Sequence, residues 1–292
     1  DTEYQRISPP RISCDHPLST QVIVGSHHHH HSHSPHCLRY LTHHLHNLPR
    51  RRLWMDGLIF KRFPVTNRKY LVFLDDLVAK GREEEALKWV PRERAGQAGK
   101  LGAMIYGRKE DGRFELVPDA EGDLWDLDWP VCMVNWFCAV AYAQWESERT
   151  GLPWRLPFSL EWEKASRGAD GRFHPWGDGF NPSFGCMRLS HKGARLPVVV
   201  DSFPVDETVY GIRGMAGGMC DWTASLWKEE GPRIENHRFA ESVDTSNTGS
   251  YRVLRGGSWY YDASYLRSAN RRTGTHESSD SCIGFRLARS IP

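Results

Sequence analysis

From residue 168 to residue 292, glycine, proline and aromatic residues recur so often that short strands are expected there. The whole chain has 26 Gly, 17 Pro and 12 Trp among its 292 residues, a composition that favours turns and bulky core side chains. Glycine and proline interrupt regular elements, because glycine has unusual backbone freedom and proline lacks an amide donor. We therefore expect an α+β fold with low regular secondary structure.

Three segments before residue 168 have the spacing of amphipathic helices. The first has Thr66 as its candidate N-cap and ends near Gly81. The second ends near Gly151, and the third begins with Ser159 as its candidate cap. Their apolar residues recur every three or four positions, so each helix is expected to pack one face on the core.

A change in amino-acid composition near residue 50 divides the chain into two parts. Residues 1–49 are predicted to be a His-rich N-terminal extension, and residues 50–292 are predicted to form one domain, with an insertion at about 82–128 that carries a hairpin turned at Asp111 and Gly112. Histidines 27–31 could bind a transition metal, but no acidic residues accompany them. A solvated flexible segment is the favoured interpretation, and no metal site is predicted.

Charge and cysteine usage exclude several classes of protein. The net charge is +2, from 38 basic and 36 acidic residues, which predicts no binding of nucleic acid or of an anionic membrane. No apolar run approaches the ~20 residues of a membrane span. Seven cysteines are too sparse for a disulfide scaffold, and Cys132 and Cys138 are expected to be free buried thiols. Unpaired thiols and no visible export signal favour a cytoplasmic location.

A series of motifs in residues 50–290 points to a known family. They are Pro64 to Asn67, Arg155-Leu156-Pro157, Glu161-Trp162-Glu163, Pro175 to Asp178, Asp221-Trp222-Thr223, Arg255 to Trp259, Arg267-Ser268-Ala269 and Gly284 to Leu287. In this order they resemble the formylglycine-generating, sulfatase-modifying enzymes. The resemblance implies a C-type-lectin-like fold of the formylglycine-generating-enzyme type. Arg255, Arg267 and Arg286 are expected to form buried ion pairs with Glu161, Glu163 or Asp221.

The same resemblance directs attention to catalysis. Active members of the family carry two cysteines shortly after the Gly-Gly-Ser motif, where a thiolate pair binds copper, but those positions correspond here to Tyr261 and Leu266. Positions similar to the family's calcium ligands hold Cys186, Gly218 and Ser225. The sequence therefore predicts no catalytic residues, no cofactor and no enzyme.

The C-terminal segment also resembles the variable proteins of diversity-generating retroelements, which use the same fold. Fixed motifs bracket a candidate variable region at 255–287, and from 260 to 282 only Glu277 falls outside the residues that adenine replacement in an AAC codon can produce. Tyrosine, serine, glycine and aspartate are also typical of binding surfaces. The predicted binding face consists of Tyr260, Tyr261, Asp262, Ala263, Tyr265, Arg272, Thr273, Gly274, Thr275, His276, Ser278, Ser279, Asp280 and Ser281.

The favoured interpretation is thus a non-catalytic protein that displays a diversified surface to a protein or other macromolecular ligand. Three alternatives stay open. The chain could be a metal-dependent oxidase or a carbon–sulfur-forming enzyme of the formylglycine-generating family, although residues 1–48 are too few for the helical bundle that holds iron in the carbon–sulfur-forming branch. It could be a regulatory relative with a fixed partner, or residues 260–282 could be an ordinary polar loop.

Overall fold

A computed structural model describes residues 3–7, 19–24, 47–93, 102–119, 122–191, 193, 195–246 and 250–291. The strands are β1 (Tyr4–Ile7), β2 (Ser19–Val24), β3 (Arg51–Asp56), β4 (Leu58–Lys61), β5 (Tyr106–Arg108), β6 (Phe114–Leu116), β7 (Cys220–Leu226), β8 (Ile234–Glu235), β9 (Arg238–Phe239), β10 (Tyr251–Arg255), β11 (Arg271–Thr275), β12 (Ile283–Gly284) and β13 (Ala288–Ser290). The α-helices are α1 (Asn67–Ala79), α2 (Glu83–Trp89), α3 (Trp136–Thr150) and α4 (Ser159–Arg167). The mixed α+β class is confirmed, and none of the helices described is long and apolar enough to cross a membrane.

The three helices predicted from periodicity are present, with one error at a boundary. Thr66 caps α1 by accepting from the Lys69 amide at 3.4 Å. Gly151 follows α3 with φ of 66°, a left-handed conformation that favours glycine. The prediction of Ser159 as the cap of α4 is wrong, because Phe158 precedes the helix and its amide donates to the Glu161 carboxylate at 2.8 Å. Ser159 instead accepts a hydrogen bond from Arg255 at 2.8 Å.

The larger hydrophobic core is built from aromatic side chains of α1 and α3. The rings of Tyr70 and Tyr142 stack with centroids 5.7 Å apart, and Phe285 meets Tyr142 edge-on at 5.3 Å. Such ring pairs add specific geometry to the burial of large apolar area. Trp222 and Trp162 are fully buried, in keeping with the bulky core side chains that the composition favours.

Two sheets organise the strands. One has the order β11-β10-β7-β12, with β12 parallel to β7 and the other pairs antiparallel. The other has the order β1-β4-β13, so that it joins the beginning and the end of the described chain. Smaller pairs are β2-β3, β5-β6 and β8-β9.

The predicted domain boundary at residues 49 and 50 does not coincide with the fold. Strand β1 pairs with β4, and β2 pairs with β3, so parts of the predicted extension belong to the domain. Ile7 is 1% exposed and lies in the core. The histidine tract at 27–46 lies outside the described residues.

The predicted insertion at 82–128 contains the expected hairpin, as β5 and β6. It also contains α2, and its residues Ala86, Tyr106 and Phe114 are buried in the larger core. The Tyr106 hydroxyl donates to the Asn67 side chain at 2.7 Å, which ties the hairpin to the start of α1. This segment is therefore part of the packed domain.

Buried ion pairs connect the irregular segments, as the arginine motifs indicate. Arg255 binds Glu163 at 2.9 Å, and Arg286 binds Asp221 at 2.6 Å, with all four side chains at most 1% exposed. Arg267 differs from the expectation, since its guanidinium lies over the Phe173 ring, 4.8 Å from the centroid.

Candidate functional site

The segment that follows β10 is held against a neighbouring loop by its two glycines. Gly256 has φ of 80°, and a Cβ at Gly257 would lie 2.6 Å from the Ala216 carbonyl oxygen. The Gly257 amide donates to that oxygen at 2.8 Å. Only glycine fits at this approach, so the pair fixes where residues 258–266 begin.

The centre of the candidate site is a cluster of two tyrosines and an arginine, in which Tyr261 and Arg272 are buried and Tyr265 is half-buried. The rings of Tyr261 and Tyr265 stack with centroids 5.0 Å apart. The Arg272 guanidinium lies 4.3 Å from the centroid of Tyr261 and 5.5 Å from that of Tyr265. Arg272 also donates to the Gly256 carbonyl at 2.9 Å and contacts the Cys220 sulfur. Burial raises the pKa of Tyr261 well above its ordinary value, so the phenol stays protonated at neutral pH.

Two thiols border this cluster without forming a reactive pair. Cys220 and Cys282 are buried and free. Burial raises the pKa of Cys220 to about 11, against the opposing effect of Arg272, and burial raises the pKa of Cys282 well above its usual range. Both groups are therefore thiols at neutral pH and cannot act as thiolate ligands without deprotonation.

The predicted binding face is divided by the fold. Tyr261, Arg272, Thr273 and Gly274 are buried: β11 pairs with β10 as an edge strand of the four-stranded sheet, and Tyr261 packs on the larger core. Their burial differs from the exposed face that the sequence predicts, and ligand binding by them stays a prediction. Thr275 is exposed, while Tyr260, Asp262, Ala263, Tyr265, His276, Ser278, Ser279, Asp280 and Ser281 are half-buried. Ligand binding by this second group stays a prediction.

Partners of the site from distant segments were not found from the sequence. Arg188 forms an ion pair with Asp262. The His276 ring meets the Phe137 ring edge-on, with centroids 5.0 Å apart. The Tyr261 carbonyl accepts from the Arg188 amide at 3.0 Å. Neither Arg188 nor Phe137 lies in a motif that marks it as functional, so only the folded chain shows their place.

Comparison with known families places these features in context. The family described as the sulfatase-modifying factor enzyme 1-like domain matches residues 24–291. The chain belongs to this family. The match begins 26 residues before the boundary predicted at residue 50, in keeping with the pairing of β2 in the fold.

Several curated relatives of this chain carry the names of enzymes. Hercynine oxygenase of Mycolicibacterium smegmatis is 34% identical over 244 residues, which cover 79% of this chain and 52% of that protein. Formylglycine-generating enzyme of Bos taurus is 32% identical over 270 residues, covering 82% of this chain and 67% of that enzyme. The chain thus spans about half the length of hercynine oxygenase. These relatives contradict the expectation that the chain is not an enzyme.

A solved structure confirms the fold. Treponema denticola variable protein 1 superposes with a TM-score of 0.55 at 17% identity, covering 94% of this chain and all of that one. This similarity extends the C-type-lectin-like assignment to nearly the whole chain. At such low identity it shows the fold and carries no argument about a displayed surface.

The metals expected from this family do not fit the residues described. The two positions of the copper-binding thiolates hold the buried phenol of Tyr261 and the buried alkyl group of Leu266, which packs against Met187 and Ala216. Across the described ranges, no group of three His, Cys, Asp or Glu side chains could hold a metal ion. At the calcium-related positions, Gly218 donates its amide to the Cys186 carbonyl at 2.9 Å, and Ser225 donates to Glu241 at 3.0 Å.

Proposed function

We propose that this chain is the formylglycine-generating-type domain of an oxygen-dependent enzyme of the hercynine oxygenase kind. The observation that carries the proposal is the 34% identity to hercynine oxygenase over 79% of the chain. The site supports this class over formylglycine generation, because a thiolate pair is missing at Tyr261 and Leu266. The side chains at these two positions therefore favour the first of the two enzyme classes among the relatives.

Within this proposal, Tyr261 is the proton donor of the site. A tyrosine phenol is protonated at neutral pH, and burial raises the pKa of Tyr261 further above its ordinary value. A protonated phenol can donate a hydrogen bond or a proton to an oxygen atom that gains negative charge during a reaction. Arg272 is the positioning residue, since its guanidinium is fixed between the Gly256 carbonyl and the Tyr261 ring. Metal ligands are not assigned among the described residues, where no group of three His, Cys, Asp or Glu side chains could hold a metal ion.

The first test measures binding of hercynine to the whole chain by isothermal titration calorimetry, which requires no turnover. We expect saturable binding with one site per chain. The second test measures oxygen uptake with hercynine, a thiol and ferrous iron. Tyr261→Phe should keep hercynine binding and lower oxygen uptake by about 10²-fold, in the range typical of a lost general acid. Tyr260→Phe, which removes the neighbouring hydroxyl, is the matched control and should retain the rate.

The proposal fails if hercynine does not bind in the calorimeter. It also fails if oxygen uptake depends on copper and a cysteine-containing peptide, since that result would assign the chain to formylglycine generation. Equal rates of oxygen uptake for Tyr261→Phe and the unaltered chain would remove Tyr261 from the mechanism. The hercynine titration would then decide the enzyme class by itself.

A further inference from the structure

A cleft lies between α1, α3 and β4. None of its lining residues belongs to the cluster of Tyr261, Tyr265 and Arg272. Its volume is about 180 Å³. Val65, Val72, Trp145 and Leu287 contribute an apolar wall. An enclosed cavity of roughly 150 Å³ is enough for benzene, so this cleft has room for one ring-sized apolar group.

Three cations converge on the rim of this cleft. Lys61, Lys69 and Arg149 all line it, together with the carboxylates of Glu3 and Glu146. Because the cations outnumber the carboxylates, the cleft is basic overall and suits an anionic ligand.

Glu146 fixes two of the cations. Its side chain is buried, accepts from Lys61 Nζ at 3.0 Å and accepts from Arg149 Nε at 2.9 Å. A buried carboxylate that holds both partners cannot leave without strong destabilisation, so Glu146 is part of the wall. Lys61 also lies 4.6 Å from the centroid of the Trp154 ring, which restricts its ammonium group further.

Glu3, in contrast, holds its position loosely. Its carboxylate accepts from Lys69 Nζ at 2.6 Å and lies 3.6 Å from Lys61 Nζ, yet the side chain is 53% exposed. The hydrogen bond from Lys69 lowers the pKa of Glu3, so the group is ionised at neutral pH. Its backbone carbonyl is anchored by the Arg62 amide at 3.1 Å. The Glu3 carboxylate can therefore leave the two lysines by side-chain rotation alone.

We propose that this cleft binds a small carboxylate that carries one ring-sized apolar group. The carboxylate of the ligand takes the place of Glu3 on Lys69 and Lys61, and the apolar group packs against Val72 and Trp145. The chain's own Glu3 shows how a carboxylate sits here, since Lys69 Nζ donates to it at 2.6 Å and Lys61 Nζ lies 3.6 Å from it. Both a free organic acid and the last residue of a peptide have this chemistry.

The test is calorimetric titration of phenylacetate into the whole chain and three variants. Glu3→Gln removes the competing carboxylate and should tighten binding about three- to tenfold, while Lys69→Met should weaken it by a similar factor, as expected for partly exposed ion pairs. Lys109→Met removes the same charge from an exposed residue outside the cleft, so it should bind like the unaltered chain. Circular dichroism establishes that each variant is folded.

Comparison ligands separate charge from shape and free acid from peptide. Phenylacetamide matches phenylacetate in shape without the charge and should bind at least about tenfold more weakly. The peptide Gly-Gly-Phe and its C-terminal amide distinguish the sources, since tighter binding of the peptide acid than of phenylacetate would assign the cleft to peptide ends. Equal binding of the acid and amide forms in both pairs would overturn the proposal, as would absence of binding to Glu3→Gln. The acid and amide comparison on the unaltered chain decides the matter if a variant does not fold.

Discussion

At the residue scale, the buried carboxylate of Asp221 holds an arginine and a tryptophan from other segments of the chain. It accepts from Arg286 at 2.6 Å and from the Trp162 indole at 2.7 Å, and it is fully buried. Burial raises its pKa, with Arg286 acting in the opposite direction. A buried charge is tolerated only while its partner remains.

Arg286→Met should therefore destabilise the chain strongly. We expect the free energy of unfolding to fall by about 3–5 kcal/mol, because Asp221 would stay buried without its cation. Urea denaturation followed by circular dichroism measures the change. Arg233→Met, which breaks an exposed pair with Glu235, should cost at most about 1 kcal/mol. Equal losses in the two variants would show that the Asp221 pair contributes no more than a surface contact.

Sequence motifs predicted the arginine pairs because arginine and carboxylate must meet when both are buried. They did not assign Glu161, which pairs with Arg155 at 2.7 Å, or Arg267, which lies over an aromatic ring. The choice among several nearby partners depends on distances between segments far apart in the chain. The same reason explains why Arg272 was expected on a surface and is found inside, beside Cys220.

At the element scale, Glu241 fastens the segment after β9 to β7. Its carboxylate accepts from the Ser225 hydroxyl at 3.0 Å, and the Ser225 oxygen accepts from the Ser159 amide at 2.9 Å. Burial raises the pKa of Glu241 from 4.5 to about 7, and the hydrogen bond from Ser225 opposes that shift. The folded chain thus binds this proton more tightly than the unfolded chain does.

This link between folding and protonation gives a stability that depends on pH. The contribution of Glu241 is fully present below about pH 4.5 and is lost as the pH rises through about 7, a change of roughly 3 kcal/mol at most. Glu241→Gln cannot ionise, so its stability relative to the unaltered chain should be higher at pH 7.5 than at pH 5. Urea denaturation at both values measures the difference. Glu235→Gln, at an exposed position of β8, is the control. If the stability difference between Glu241→Gln and the unaltered chain is identical at pH 5 and pH 7.5, the expectation is contradicted.

Local patterns predicted the helices better than the strands. Periodicity located α1, α3 and α4, because each helix satisfies its backbone within its own segment. Strands such as β12, with two residues, depend on a partner elsewhere in the chain, and no local pattern marks them. Hairpin β5-β6 is the exception, since the turn at Gly112 keeps both partners close in sequence.

At the scale of the whole molecule, the family motifs predicted the fold, but the domain boundary predicted at residue 50 differs from the structure. Residues before 50 lack those motifs and have an unusual composition, which favoured a separate extension. In the fold, β4 is the central strand of a sheet whose edges come from β1 and β13. Its hydrogen bonds therefore need both distant ends of the chain, a requirement that is invisible in either end alone.

The contribution of β1 to the core can be tested at Ile7, the last residue of this strand. Ile7 is 1% exposed and belongs to the core cluster that contains Phe60 and Trp162. Ile7→Ala should lower the free energy of unfolding by about 2–5 kcal/mol, as expected for a truncated core side chain. Val209→Ala is the control, because Val209 is 54% exposed and its truncation should change stability by at most about 0.5 kcal/mol. If chemical denaturation gives both variants the same stability, β1 does not contribute to the core and the domain begins after it.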